Sequence, residues 1–108
     1  VVLYDDMDLP LGRIKLSYGR SSGGHRGLES VIKALKSKDF LRVRIGISPE
    51  TSGGKLKKPQ GERQVVDFVL GEFKSTERDV LKKERAKVKE IIETFVKEGH
   101  EQAMNKFN

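Results

Sequence analysis

At 108 residues, 35% hydrophobic and 35% charged, the chain has the length of one domain with a modest core. It has no cysteine, which excludes disulfides and thiolate metal sites and fits a cytoplasmic setting. No run reaches the roughly 20 apolar residues of a membrane helix, and no charged-then-apolar leader marks export. The net charge of +6 is concentrated: residues 11–46 carry nine Lys/Arg against Glu29 and Asp39, whereas residues 1–10 carry only Asp5, Asp6 and Asp8. One basic block suggests a polyanionic partner such as nucleic acid; the alternative is a face kept charged for solubility.

Val1–Tyr4 reads as a short buried strand from its unbroken, β-branched character. A strand this apolar needs neighbours on both sides, and the chain opens in the middle of it on Val1. Part of the domain is therefore expected to lie on the N-terminal side. Leu9-Pro10-Leu11-Gly12 reads as a turn, with Asp6 and Asp8 as Asx-type turn residues before it.

Gly12–Tyr18 alternates, with Ile14, Leu16 and Tyr18 on one face and Arg13, Lys15 and Ser17 on the other. The Gly/Ser-rich stretch 19–24 breaks regular structure, and Leu28, Val31, Ile32 and Leu35 then follow helical spacing. Leu41–Ile47 alternates again, with Arg42 and Arg44 outward.

Residues 48–64 show no periodicity and are expected to be a flexible loop. Val65–Leu70 is expected as a fourth strand. A long helix should start at Thr76, capped by the Thr76/Asp79 spacing and closed by Gly99; its Lys/Glu neighbours read as ordinary surface charges. The tail should fold Met104 and Phe107 back onto the body. The whole is an α/β domain, a mixed sheet with flanking helices.

Chemistry concentrates at two places. Asp5 ends an apolar strand, where a partly desolvated carboxylate needs a partner: an imidazole to orient, or loop amides. His25 stands at a glycine-rich helix entrance, which favours a ligand-facing role over a merely structural one. His100 reads as a surface residue. The Gly-Gly-His-Arg-Gly segment lacks the Gly-Lys-Ser/Thr ending of a phosphate loop, and two histidines without cysteine predict no metal site. Arg13, Lys15, Arg42 and Arg44 should share one side of the sheet, a patch suited to phosphate.

Five ordered blocks then carry a resemblance: Tyr4–Gly12 (YDDMDLPLG), Gly23–Leu28 (GGHRGL), Phe40–Ile47 (FLRVRIGI), Phe68–Gly71 (FVLG) and Ala103–Phe107 (AMNKF). Together they resemble bacterial-type peptidyl-tRNA hydrolase, over the whole chain and over the C-terminal portion of that family's domain. The resemblance implies hydrolysis of the ester joining peptide to tRNA, with no cofactor and no metal, by a cytoplasmic monomer that binds tRNA.

The resemblance further implies that Asp5 orients a general-base histidine from an N-terminal segment outside residues 1–108, so that this chain alone should be inactive. It places His25, Arg26 and Gly24 at the substrate, His25 in a mobile loop over the groove. It gives Lys15 and Arg44 the tRNA phosphate, supported by Arg13 and Arg42. Arg26 stands where asparagine is common, and Ser17 where some members carry a second lysine. The competing reading is a non-catalytic RNA-binding module, of the kind found in plant organelle splicing factors that resemble the same family.

Overall fold

The computed structural model describes residues 1–51 and 53–108. Three strands, β1 (Val2–Pro10), β2 (Ile14–Tyr18) and β3 (Leu41–Ser48), form one sheet in the order β1-β3-β2. β3 lies parallel to β1 and antiparallel to β2, so the sheet is mixed. Four helices flank it: α1 (Arg26–Leu35), α2 (Gly61–Leu70), α3 (Ser75–Glu98) and α4 (His100–Phe107).

The alternation in β2 and β3 sorts their side chains by face. Ile14, Leu16, Leu41 and Val43 are buried against Ile91 of α3 and Ala103 of α4, with Val88, Phe95, Met104 and Phe107 closing around them. Each such aliphatic side chain contributes about 1.5–3 kcal/mol on burial. The opposite face is polar. Register sets Lys15 beside Arg44 and Ser17 beside Arg42, and continues the first row onto Tyr4 of β1.

β1 is longer than the Val1–Tyr4 expectation and carries Asp5, Asp6 and Asp8 inside the strand. Among the described residues it bonds to β3 alone, and its Leu3 is 41% exposed, as is the preceding Val1 at 46%. Near its end the register slips between Asp6 and Pro10, and β3 approaches so closely that a Cβ on Gly46 would overlap the Pro10 carbonyl oxygen. Only a residue without a side chain fits there.

Two expectations are corrected. Val65–Leu70 is not a fourth strand but the body of α2, which starts at Gly61 and so also takes residues 61–64 out of the expected loop. A six-residue run that is apolar except for Asp67 is compatible with a buried strand or a helix, and the helix formers Glu62, Arg63 and Gln64 just before it tip the choice. The cap of α3 is not Thr76 with Asp79: the helix begins one residue earlier, and Glu77 Oε1 accepts the Lys74 amide at 2.8 Å. Glu has the extra methylene needed to reach back to that amide.

Gly99, at φ 90°, ends α3 and starts α4. His100 stacks on Tyr18 with ring centroids 3.8 Å apart. Asn108 accepts the Leu16 amide with Oδ1 (2.8 Å) and donates Nδ2 to the Leu16 carbonyl (3.0 Å). No helix is long and apolar enough to cross a membrane, among the described residues.

Candidate active site

A groove of about 680 Å³ opens on the polar face, between the ends of β1 and β3, the 20–27 segment and α2. Asp5, His25, Arg26, Gly24, Arg42 and Arg44 all line it; Lys15 and Arg13 do not.

His25 is fixed from three directions. Its backbone caps α1, and its Nδ1 accepts the Leu28 amide at 3.0 Å. An Nδ1 that accepts has no proton, so Nε2 carries the hydrogen and donates it to Asp5 Oδ1, 3.0 Å away. Tyr4 meets the same ring edge-on, with centroids 5.0 Å apart. The Asp5–His25 pair is only half buried, so its contribution to stability is modest, about 1 kcal/mol or less. Its consequence is chemical: with both nitrogens engaged, this imidazole has no lone pair free for a water.

Asp6, read from sequence as a turn residue, does two jobs. Its Oδ1 accepts the Asp8 amide at 2.8 Å, as an Asx-type turn requires, and its Oδ2 accepts Arg44 Nε at 2.7 Å. The Arg44 side chain remains 21% exposed, so one edge of the guanidinium stays available beside Lys15. Burial pushes the Tyr4 phenol above its ordinary pKa, and the nearby Arg44 and Arg42 charges offset part of that rise.

Arg42 departs from the expected patch. It is fully buried, and its guanidinium donates to the Ser21 carbonyl at 2.7 Å and to the Lys38 carbonyl at 3.3 Å, with Phe40 stacked 4.8 Å from it. Those carbonyls lie before and after α1, so one side chain staples both ends of the helix whose cap is His25. Alternation puts Arg42 on the right face; it does not reveal that the 19–24 segment folds over that position.

Reading Val65–Leu70 as a strand hides the apolar wall that α2 contributes. Val65, Val66, Val69 and Leu70 form this side of the groove, with Leu70 79% exposed. One exposed ion pair, Arg26 with Glu62 at 2.5 Å, links α2 to the start of α1, and Lys58, in the segment before α2, pairs with Asp8. Arg26 therefore points to α2. Among the described residues, no group of three His, Asp or Glu converges as a metal-ligand set.

Comparison with known proteins bears on all of this. A family model described as "Peptidyl-tRNA hydrolase" matches residues 1–108. Curated relatives of that name include those of Syntrophotalea carbinolica, 40% identical over the whole chain and 52% of the relative, and Thermotoga petrophila, 42% identical over the whole chain and 53% of the relative. The chain spans about half the length of the curated relatives it matches. The crystal structure of the peptidyl-tRNA hydrolase from Acinetobacter baumannii superposes with a TM-score of 0.77 at 29% identity, over 98% of this chain and 49% of that one.

Proposed function

The chain belongs to the peptidyl-tRNA hydrolase family, and from that membership we propose that it is the tRNA-handling half of an enzyme that cleaves the ester between peptide and tRNA. The observation that carries the proposal is a juxtaposition: the Asp5 carboxylate, Arg44 and the apolar wall of α2 line one groove, and Lys15, outside the groove, extends the cationic row from Arg44. A peptide lies against the apolar wall. The acceptor-end phosphates lie on the row, and the ester falls between them, beside Asp5.

Ester hydrolysis requires an activated water and donors for the developing oxyanion. In this reading Asp5 orients a general-base imidazole and stabilises its charged form. Gly24 and Arg26 approach the substrate from the segment that carries His25, and Arg13, Lys15 and Arg44 hold phosphate, which catalyses by positioning. Arg42 acts as the staple behind that segment and takes no phosphate.

Neither histidine of residues 1–108 serves as the base. His25 has both nitrogens bonded, and His100 is stacked on Tyr18. The base is supplied by a further histidine outside residues 1–108, and the working protein is a cytoplasmic monomer. The test is release of peptide from peptidyl-tRNA by residues 1–108 and by a protein of the relatives' full length containing them. Turnover is expected only in the second. Turnover by residues 1–108 at the rate of an intact relative would make His25 the base.

A further inference from the structure

Among the described residues, four carboxylates and four guanidiniums line the groove, and nearly all of them are matched. Asp5 accepts from His25 at 3.0 Å, Asp6 holds Arg44 at 2.7 Å, Glu62 holds Arg26 at 2.5 Å, and Asp8 pairs with Lys58. Arg42 has no carboxylate, but it is fully buried and spans the Ser21 and Lys38 carbonyls. Arg20 is left over. It is exposed and lines the groove, and among the described residues its side chain makes no ion pair and no hydrogen bond. A carboxylate does stand near: Asp39 Oδ1 lies 3.8 Å from where a Cβ on Gly19 would be, yet it forms no pair with Arg20.

The backbone that carries Arg20 is held on both sides. Gly19, at φ 69°, turns the chain out of β2. Arg42 fixes the Ser21 carbonyl at 2.7 Å, while Ser22 Oγ donates to Glu29 Oε1 at 3.0 Å and accepts the Gly24 amide at 3.2 Å. Only the rotamers of Arg20 itself are then left to be ordered when it closes on a ligand.

Chain order gives the residue a place along a substrate. Lys15 sits beside Arg44 in the cationic row, Arg20 follows five residues on, and His25, bonded to Asp5, follows after five more. β2 runs about 10 Å from Lys15 to Tyr18, so Arg20 is anchored apart from the Lys15–Arg44 pair. It lies on the segment that ends at the Asp5–His25 pair. An anion on Arg20 is therefore a different one from that on the row.

We propose that Arg20 binds the last phosphate of the RNA strand before the ester, and so positions the terminal nucleotide beside Asp5. The inference rests on the tRNA-binding reading above and deepens it, adding a contact at the 3′ end of the substrate. The guanidinium fork grips two phosphate oxygens, and the phosphate supplies the negative charge that the groove lacks. The acidic side chains of a peptide vary, whereas this phosphate is common to every tRNA.

The test is binding of intact tRNA, and of tRNA trimmed of its 3′-terminal CCA, by residues 1–108 across a salt series. The proteins are the wild type, Arg20→Ala, Arg20→Lys and Lys15→Ala. Arg20→Ala is expected to bind intact tRNA about tenfold more weakly at low salt, with the slope of log affinity against log salt lowered by about 0.7. Trimmed tRNA should bind Arg20→Ala and the wild type alike, whereas Lys15→Ala should weaken both RNAs. Arg20→Lys should keep the slope but recover only part of the affinity, because the fork is lost. The melting temperature should not move in either Arg20 variant. An equal loss on both RNAs would remove Arg20 from the 3′ end. Wild-type affinity in Arg20→Ala, with loss in Lys15→Ala, would overturn the contact and leave the tRNA reading standing. No salt-dependent tRNA binding by the wild type would overturn both. An N-acetylated peptide containing glutamate forms the last arm: if Arg20→Ala lost affinity for it but kept tRNA binding, the guanidinium would serve the peptide and the phosphate assignment would fall.

Discussion

His25 and Asp5, twenty positions apart, meet at 3.0 Å through Nε2 and Oδ1, while the other ring nitrogen caps α1. The imidazole is thus both a structural cap and the partner of the groove's carboxylate. Asp5→Asn keeps the shape and removes the charge. In a protein of the relatives' length carrying this chain, kcat should fall by about 10²–10⁴ with tRNA affinity nearly unchanged, as for other carboxylates that orient an imidazole. A loss confined to affinity would show that Asp5 binds substrate instead.

Lys15 and Arg44 stand side by side but differ in what they support. Lys15→Ala should weaken tRNA binding and lower the salt slope by about 0.7–0.9 with no change in stability. Arg44→Ala should do the same to binding and also destabilise the fold by about 1–3 kcal/mol, because it strips buried Asp6 of its partner. Lys87→Ala, between two glutamates, is the control; if all three titrated alike, the phosphate row would be wrong.

Arg42 separates a staple from a ligand. Arg42→Lys keeps the charge but loses the fork that spans two carbonyls, so urea unfolding should show a loss of about 2–4 kcal/mol. Faster exchange of the Leu28 amide should accompany it. A variant of wild-type stability that bound tRNA more weakly would return Arg42 to the phosphate site.

Tyr4 makes a pH prediction. Its phenol is raised above 10.0 by burial, so the folded state keeps a proton that the unfolded chain releases. That contribution is complete below about pH 10 and is lost as pH climbs through the folded value. Urea midpoints measured from pH 8 to 11 should fall more steeply for the wild type than for Tyr4→Phe. Parallel curves would mean that the ring is effectively solvated.

Local patterns carry the strands and most of the helices. Alternation locates β2, β3 and the faces of Lys15 and Arg44, because a half-buried strand writes its environment into every second residue. The same rule misjudges Arg42, since alternation reports a face and not what later folds across it. Val65–Leu70 is ambiguous for a different reason: a short apolar run fits either period, and only its neighbours decide. Asp5 and His25 are legible as two candidates, but their meeting depends on the path of a glycine-rich segment that has no periodicity to read. Asp6 looks like a turn residue but lies within β1; one oxygen makes an Asx-type bond to the Asp8 amide, and the second reaches Arg44 across the sheet, which spacing cannot disclose.

The Asn108 amide offers the middle of β2 one acceptor and one donor, the same pair that a neighbouring strand would offer there. It works as a strand one residue long. The sheet consequently has a finished margin at β2 and an unfinished one at β1, whose outer amides and carbonyls have no strand partner among the described residues. Any lengthening of the sheet is directed to the Asp5 side, and the width of the cationic row stays fixed.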